Sequence, residues 1–313
     1  MKTAILCFWL FAGTALSVFA GTATRPANHR ERCDLPPLTI FETVKKGELK
    51  LVPVARHSKN PVCENSGLAP CSAGTRLFWT INDSGNEPKI FAIDLDGKVY
   101  GNGVKVTHRR NIDWECISRD TQGNLIIGDV GNNRSNRKNL VFYIVPEPKN
   151  VQNPPFTEEA RKISFYYPSQ DNFVPANNKN YDCESCFAAD GNFIYFFTKH
   201  WADTQTVLWR VRTDTEAYQA AQPLLRFDAG GMVTDAALSP SQKKLAVLLY
   251  HGLWIFDVDN TKTEPRERFF NNPHFYKTTS PILDWQTEGV AFVDEKTLVI
   301  SSESGALFCV PVE

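Results

Sequence analysis

Helix-forming segments are nearly absent from this chain of 313 residues: only residues 213–222, TDTEAYQAAQ, could wind a short turn. Long apolar stretches are missing as well once residue 20 is passed. None approaches the roughly 20 residues that a membrane-spanning helix requires. Charge of one sign is not in excess, because 34 Lys and Arg offset 35 Asp and Glu. That balance gives no reason to expect nucleic acid or an acidic membrane surface as a partner. There is no G-x-S-x-G elbow, no phosphate-binding P-loop, no H-E-x-x-H helix and no dinucleotide fingerprint behind a strand. These absences exclude the common serine-hydrolase, nucleotide-hydrolase, zinc-protease and nicotinamide readings.

What the chain does hold is strand-forming material, with 21 Phe, 7 Trp and 9 Tyr, arranged as a repeat. Five segments open with an acid before an apolar stretch: Glu64 in ENSGLA, Glu115 in WECISRD, Glu184 in CESCFAAD, Asp235 in TDAALSP and Glu288 in TEGVAFVD. Two further apolar runs follow each, such as NLIIGD then LVFYIVPEP, or KLAVLLY then GLWIFDVD. The acids stand 51, 69, 51 and 53 residues apart. Repeats of about 40 to 50 residues built from short strands are the signature of a β-propeller. The expectation is an all-β chain with a single propeller of five blades, six being the alternative and a β-sandwich the competitor. Residues 49–57, LKLVPVARH, would complete the last blade and remove its free edge. The long interval between Glu115 and Glu184 holds Pro/Asn-rich segments around ISFYYP, expected as an insertion over one face.

Residues 1–20 have Lys2, a long apolar run and small residues at Val18 and Ala20. They read as a secretory signal cut after Ala20, with an uncleaved anchor as the alternative. The division is then signal 1–20, polar leader 21–38 and propeller 39–313, in a secreted protein, or a periplasmic one in a Gram-negative host. Export leaves seven cysteines, an odd number, in an oxidising compartment. Cys63 with Cys71 is the first expected pair and Cys33 with Cys309 the second. The spacing Cys183-Glu-Ser-Cys186 lacks the second ligand pair of a zinc site and reads as structural. Sequons at Asn82 and Asn133 fall inside turns.

In a propeller the first strand of each blade lines a central channel, so the five acids would form a ring at one mouth. Converging carboxylates need raised pKa values or a cation. All-oxygen ligation with flexible geometry favours calcium, so Glu64, Glu115, Glu184, Asp235 and Glu288 are its candidate ligands. Alternatively these acids only cap strands or hold water, or another metal takes them. The residues closing each second strand, Asp83, Asp129, Lys199, Tyr250 and Glu303, should form an outer layer on the same face. His200, His251, Arg134 and Arg137 add basic groups nearby. The turns Asn82-Asp83-Ser84-Gly85-Asn86 and Gly128-Asp129-Val130-Gly131-Asn132-Asn133 suit tight loops with side chains facing a ligand. Any chemistry would be metal-assisted hydrolysis. Asp129, His200 or His251 would act as general base, and Asp83, Arg134 and Lys199 would hold the substrate.

The segments NDSGNEPKIFAIDLDGKV, IDWECI, GDVGNNRSNRK followed by YIVPEP, TDAALSPSQKKLAV and TEGVAF resemble a group of secreted propeller proteins, mostly without an assigned role. The resemblance runs from about Glu64 to the end. It departs at Cys116, Cys183 and Cys186, where that group more usually has apolar or acidic residues, and this implies an additional disulfide. More distantly the pattern is similar to the calcium-activated nucleotidases (apyrases), five-bladed discs with calcium in the channel. Glu115, Glu184 and Glu288 would match their channel glutamates. The resulting expectation is a monomeric calcium-binding propeller that hydrolyses phosphate or carboxylic esters of a small anionic molecule. Its competitor is a non-catalytic module for an extracellular ligand, holding a structural ion.

Overall fold

Alternating apolar runs of about six residues, broken at Gly, Asn and Asp, form the antiparallel meanders expected of them. The computed structural model describes residues 34–152, 156–175, 180–280 and 286–312. The expected signal, most of the expected leader and Cys33, and with it the expected Cys33–Cys309 pair, lie outside these residues.

The strands assemble into five sheets. Blade 1 runs from the channel outward as Asn65–Pro70, Leu77–Asn82, Lys89–Asp94 and Val99–Thr107. Blade 2 is Trp114–Arg119, Asn124–Asp129, Leu140–Pro146 and Arg161–Tyr166, and blade 3 is Asp182–Cys183, Phe193–Lys199, Gln205–Arg212 and Gln222–Asp228. Blade 4 is Val233–Leu238, Lys244–Leu249, Gly252–Asp257 and Asn271–Thr279. Blade 5 is Thr287–Phe292, Thr297–Ser302 and Ala306–Pro311, closed antiparallel by Ala55–Arg56. Five apolar cores fill the seams between blades 1 and 2, 2 and 3, 3 and 4, 4 and 5, and 5 and 1. The fold is thus a five-bladed β-propeller, held by sheet-on-sheet packing around a closed circle.

Closure differs in detail from the sequence expectation. Residues 49–57 are not one strand: Lys45–Lys50 pairs in parallel with the edge of blade 4, and the chain then crosses to place Ala55–Arg56 on blade 5. One segment thereby clasps two blades. Part of the long interval after Glu115 also serves edges, while Gln170 and Phe173 further along it contact Ser135 and Lys138 of the loop after Asp129. Arg161–Tyr166, containing ISFY, is the fourth strand of blade 2, and Phe156–Glu159 pairs in parallel with blade 1. Gln219–Ala220, inside the segment read as a helical turn, instead caps the edge of blade 2. Unpaired edge N–H and C=O groups explain this recruitment, since every borrowed strand satisfies a row of them. The helix among the described residues is Pro265–Phe269, started by Pro at its first turn.

The first expected disulfide, Cys63 with Cys71, does not fit the fold. The strand Asn65–Pro70 lies between them, and six extended residues span roughly 20 Å. A disulfide needs Cα atoms within about 7 Å. Asn82 is buried, with its amide donating to the Pro61 carbonyl and accepting from the Glu64 N–H, so it has no room for a glycan.

Candidate functional site

Register decides which of the five acids face the channel together. In blade 2, Trp114 pairs with Asp129 and Cys116 with Gly128, which leaves Glu115 as the extra residue of a β-bulge. In blade 5, Thr287 pairs with Ser302 and Gly289 with Ser301, leaving Glu288 in the same place. Glu184 follows the Cys183–Thr198 pair and stands there in blade 3. A bulge re-aims one side chain, and these three glutamates point into one funnel. In blade 1 the bulged residue is Gly67, so Glu64 lies three positions earlier at the rim, where its carboxylate accepts from the Asn86 amide at 2.7 Å. In blade 4 the bulged residue is Thr234 and Asp235 comes one later. A one-residue slip changes what a side chain meets. Asp235 is fully buried and accepts from the backbone N–H groups of Ala236 at 2.8 Å, Val290 at 2.8 Å and Leu68 at 3.4 Å. It fastens the inner strands of blades 4, 5 and 1.

The same slip sorts the outer layer. Lys199, Tyr250 and Glu303 occupy equivalent positions, and Asp83 lies one past its own; all four line the funnel, whose volume is about 260 Å³. Asp129 sits one residue inside its strand, 14 rather than 15 residues after its glutamate. It turns away, fully buried, and pairs with Arg137 at 2.6 Å.

One half of the funnel is built around Lys199. Its ammonium lies 3.0 Å from Glu184 Oε1, donates to the Tyr250 hydroxyl at 2.8 Å, and stands 5.0 Å from the centre of the Trp201 ring. Burial alone would lower its pKa, but Glu184 and Glu288 outweigh burial and hold it above the usual lysine value. The Tyr250 hydroxyl lies close enough to Glu288 to favour its ionised form. Glu288 Oε2 is buried with no partner, and burial, only partly opposed by Lys199, pushes the carboxyl up to about 7. Lys199 is therefore an internal counter-ion for the acids of blades 3 and 5.

The other half joins blades 1 and 2. Carboxylate oxygens of Asp83, Asp113 and Glu115 lie within 4.8 Å of one another. Burial pushes Asp113 up to about 6, against the Arg137 guanidinium 3.8 Å away. Burial also raises Glu115 well above the usual range, reinforced by Glu184 and Asp83. The backbone around this group is held tightly. The Asn111 amide donates to the carbonyls of Asn82 at 2.9 Å and Asp83 at 2.8 Å, while Val130 and Gly131 N–H donate to the Asp113 carbonyl, each at 3.1 Å. Gly131 leaves the space these carboxyls occupy, because a Cβ there would meet Glu115 Oε1 and sit 2.5 Å from the Asp113 carboxyl carbon, forcing both side chains to shift. Asp113 was missed as a candidate in the sequence. It lies two residues before the repeated acid, and the Asn111 bonds together with the loop after Asp129 hold it beside Asp83.

The remaining candidates lie elsewhere. His200 is buried, with both ring nitrogens engaged: Nε2 with Thr198 Oγ1 at 3.0 Å and Nδ1 with Asp203 Oδ1 at 2.9 Å. His251 is exposed in the turn after Tyr250, and Arg134 is exposed beside Asn133; neither lines the funnel. Lys199 is the one basic side chain that lines it among the described residues.

No family model matches the chain, and no curated protein matches it, so the resemblances to secreted propellers and to apyrases stand as expectations. The solved structures to which the chain is similar include two β-propeller proteins. One is the PQQ-bound aldose sugar dehydrogenase of Streptomyces coelicolor, at 10% identity over 84% of this chain and 97% of that one, with a TM-score of 0.48. The other is a gluconolactonase of Xanthomonas campestris, at 13% identity over 90% and 86%, with a TM-score of 0.41. No inference about activity rests on either.

Proposed function

We propose that this protein is an exported, calcium-binding β-propeller that hydrolyses phosphate or carboxylic esters of small molecules at its acidic funnel. The observation that carries this reading is the carboxylate group of Asp83, Asp113 and Glu115. Oxygens that bind one calcium ion at about 2.4 Å lie no more than about 4.8 Å apart, a limit these three carboxylates satisfy. The donors are all hard oxygens, without the nitrogen or sulfur that zinc would favour. Lys199 is committed to Glu184 and Tyr250, and Arg137 is bonded to Asp129 with Asp113 3.8 Å away, so Asp83 and Glu115 have no ion pair of their own among the described residues and an outside cation would supply one. A bound divalent ion would supply charge to polarise a phosphoryl or acyl oxygen.

The chain's own groups divide the remaining work. Glu288, raised to about 7 and unpartnered at Oε2, is the proton-transfer group of the funnel. His200 and Asp129 are spent on Thr198, Asp203 and Arg137, so neither serves as base. Acids dominate the lining, so an anionic substrate enters after the cation, not before it.

A second reading, a non-catalytic module with a structural ion, is favoured by one feature: the three carboxylates come from two blades, so an ion would staple the seam. Calorimetric titration with calcium and magnesium, paired with a panel of nucleotide, phosphate-ester and lactone substrates, separates the two. Calcium binding that Glu115→Gln abolishes, with turnover that Glu288→Gln abolishes while binding persists, is expected of the enzyme. Binding with no turnover on any substrate selects the structural module. No binding of either ion sinks both.

A further inference from the structure

Beneath the funnel acids lies a group of side chains that the hydrolytic reading does not use. Cys116, next to Glu115, and Cys183 and Cys186, on either side of Glu184, are all fully buried in the core between blades 2 and 3. The Cys116 thiol neighbours both other thiols, and all three sulfurs are unbonded in this structure. Cys186 also meets Ser118 Oγ at 3.5 Å, and Cys183 meets the Ser185 carbonyl at 3.6 Å. On the neighbouring strand Gly128 stands opposite Cys116, and a Cβ there would sit 2.5 Å from the Cys116 sulfur. The backbone of blade 2 thus makes room for this sulfur in the seam. Among the described residues the three sulfurs do not close on one point as metal ligands would. The arrangement suits a bond between two of them.

We propose that Cys116 forms a disulfide with Cys183 or Cys186, stapling blade 2 to blade 3 directly under the funnel and leaving one resident thiol beside it. The link spans 67 or 70 residues of chain, and constraining a long loop stabilises by restricting the unfolded ensemble. It forms as the chain folds, by exchange with a small-molecule disulfide such as oxidised glutathione. One protein thiolate attacks that disulfide and expels a thiolate. The second protein thiolate attacks the mixed disulfide and expels another. Two electrons and two protons leave the protein thiols and appear as two molecules of reduced small thiol. Once the seam closes, burial shields the bond and the remaining thiol from further exchange. The link stands independently of any ion in the funnel.

The test is a peptide map of the protein refolded in a glutathione redox buffer and alkylated under denaturing conditions without reductant. Two of the three thiols should escape alkylation, in a cross-linked peptide containing Cys116. Separate Cys183→Ser and Cys186→Ser variants identify the partner. Reductant should lower the melting temperature of the wild type by several degrees and leave that of Cys116→Ser unmoved. Alkylation of all three cysteines, or a link joining only Cys183 to Cys186, overturns the proposal. The wild-type map decides the question even if Cys116→Ser fails to fold.

Discussion

Replacing Lys199 by Met tests the electrostatic design of the funnel most directly. The side chains of Lys199 and Glu184 are 4% and 5% exposed, and their charged atoms are 3.0 Å apart. Removing one partner of a buried pair strands the other, at about 3–5 kcal/mol. A domain of this size class loses about 2–4 °C of melting temperature per kcal/mol, so a fall of about 10 °C is expected near neutral pH. The loss should shrink in acid, where Glu184 and Glu288 take up protons and no longer need a counter-charge. Adding Glu184→Gln to Lys199→Met should recover much of the loss, because a neutral pair of similar volume replaces the ionic one. Thermal unfolding across pH 5–8 for the two single variants and the double reads this out. A fall under about 1 kcal/mol, the scale of a surface pair, would refute the counter-ion role.

Calcium affinity should rise with pH below about 6, since Asp113, raised to about 6, must lose its proton to ligate. Titration in buffers of different ionisation enthalpy should show proton release on binding, and pH-independent affinity would count against Asp113 as ligand. Gly131→Ala should cost about 1–3 kcal/mol by overpacking, because its Cβ meets the carboxyls of Glu115 and Asp113, and should abolish the calcium-induced rise in melting temperature. An intact rise would place the ion elsewhere. His57, buried beside the closing strand, is held below its ordinary pKa by burial, so the unfolded chain takes up the proton more readily. Its contribution to stability is complete above about pH 6.5 and falls away as the pH drops. His57→Leu should therefore flatten the acid limb of the stability profile relative to wild type, and parallel profiles would exclude the effect.

Much of the fold was legible in the residues themselves. Apolar alternation between Gly, Asn and Asp turns is a local property, and recurring three strands at a time it defines blades without any knowledge of what touches what. An acid near the start of each repeat was equally plain, as was the likeness of the loops at Asp83 and Asp129. The edge strands were not: Lys45–Lys50 and Gln219–Ala220 carry little apolar signal, because their pairing satisfies backbone groups rather than burying side chains.

By itself the sequence determined that the chain would be a strand-built propeller with acids gathered at one mouth. Tertiary structure alone decided which acids meet. A single-residue bulge puts Glu115, Glu184 and Glu288 into the funnel, while a shift of one residue buries Asp235 on backbone amides and Asp129 on Arg137. Asp83 and Asp113, 30 residues apart, become neighbours only when two blades pack. Side chains in a sheet alternate with period two, so register carries this information, and register is set by pairing across strands that no local pattern records.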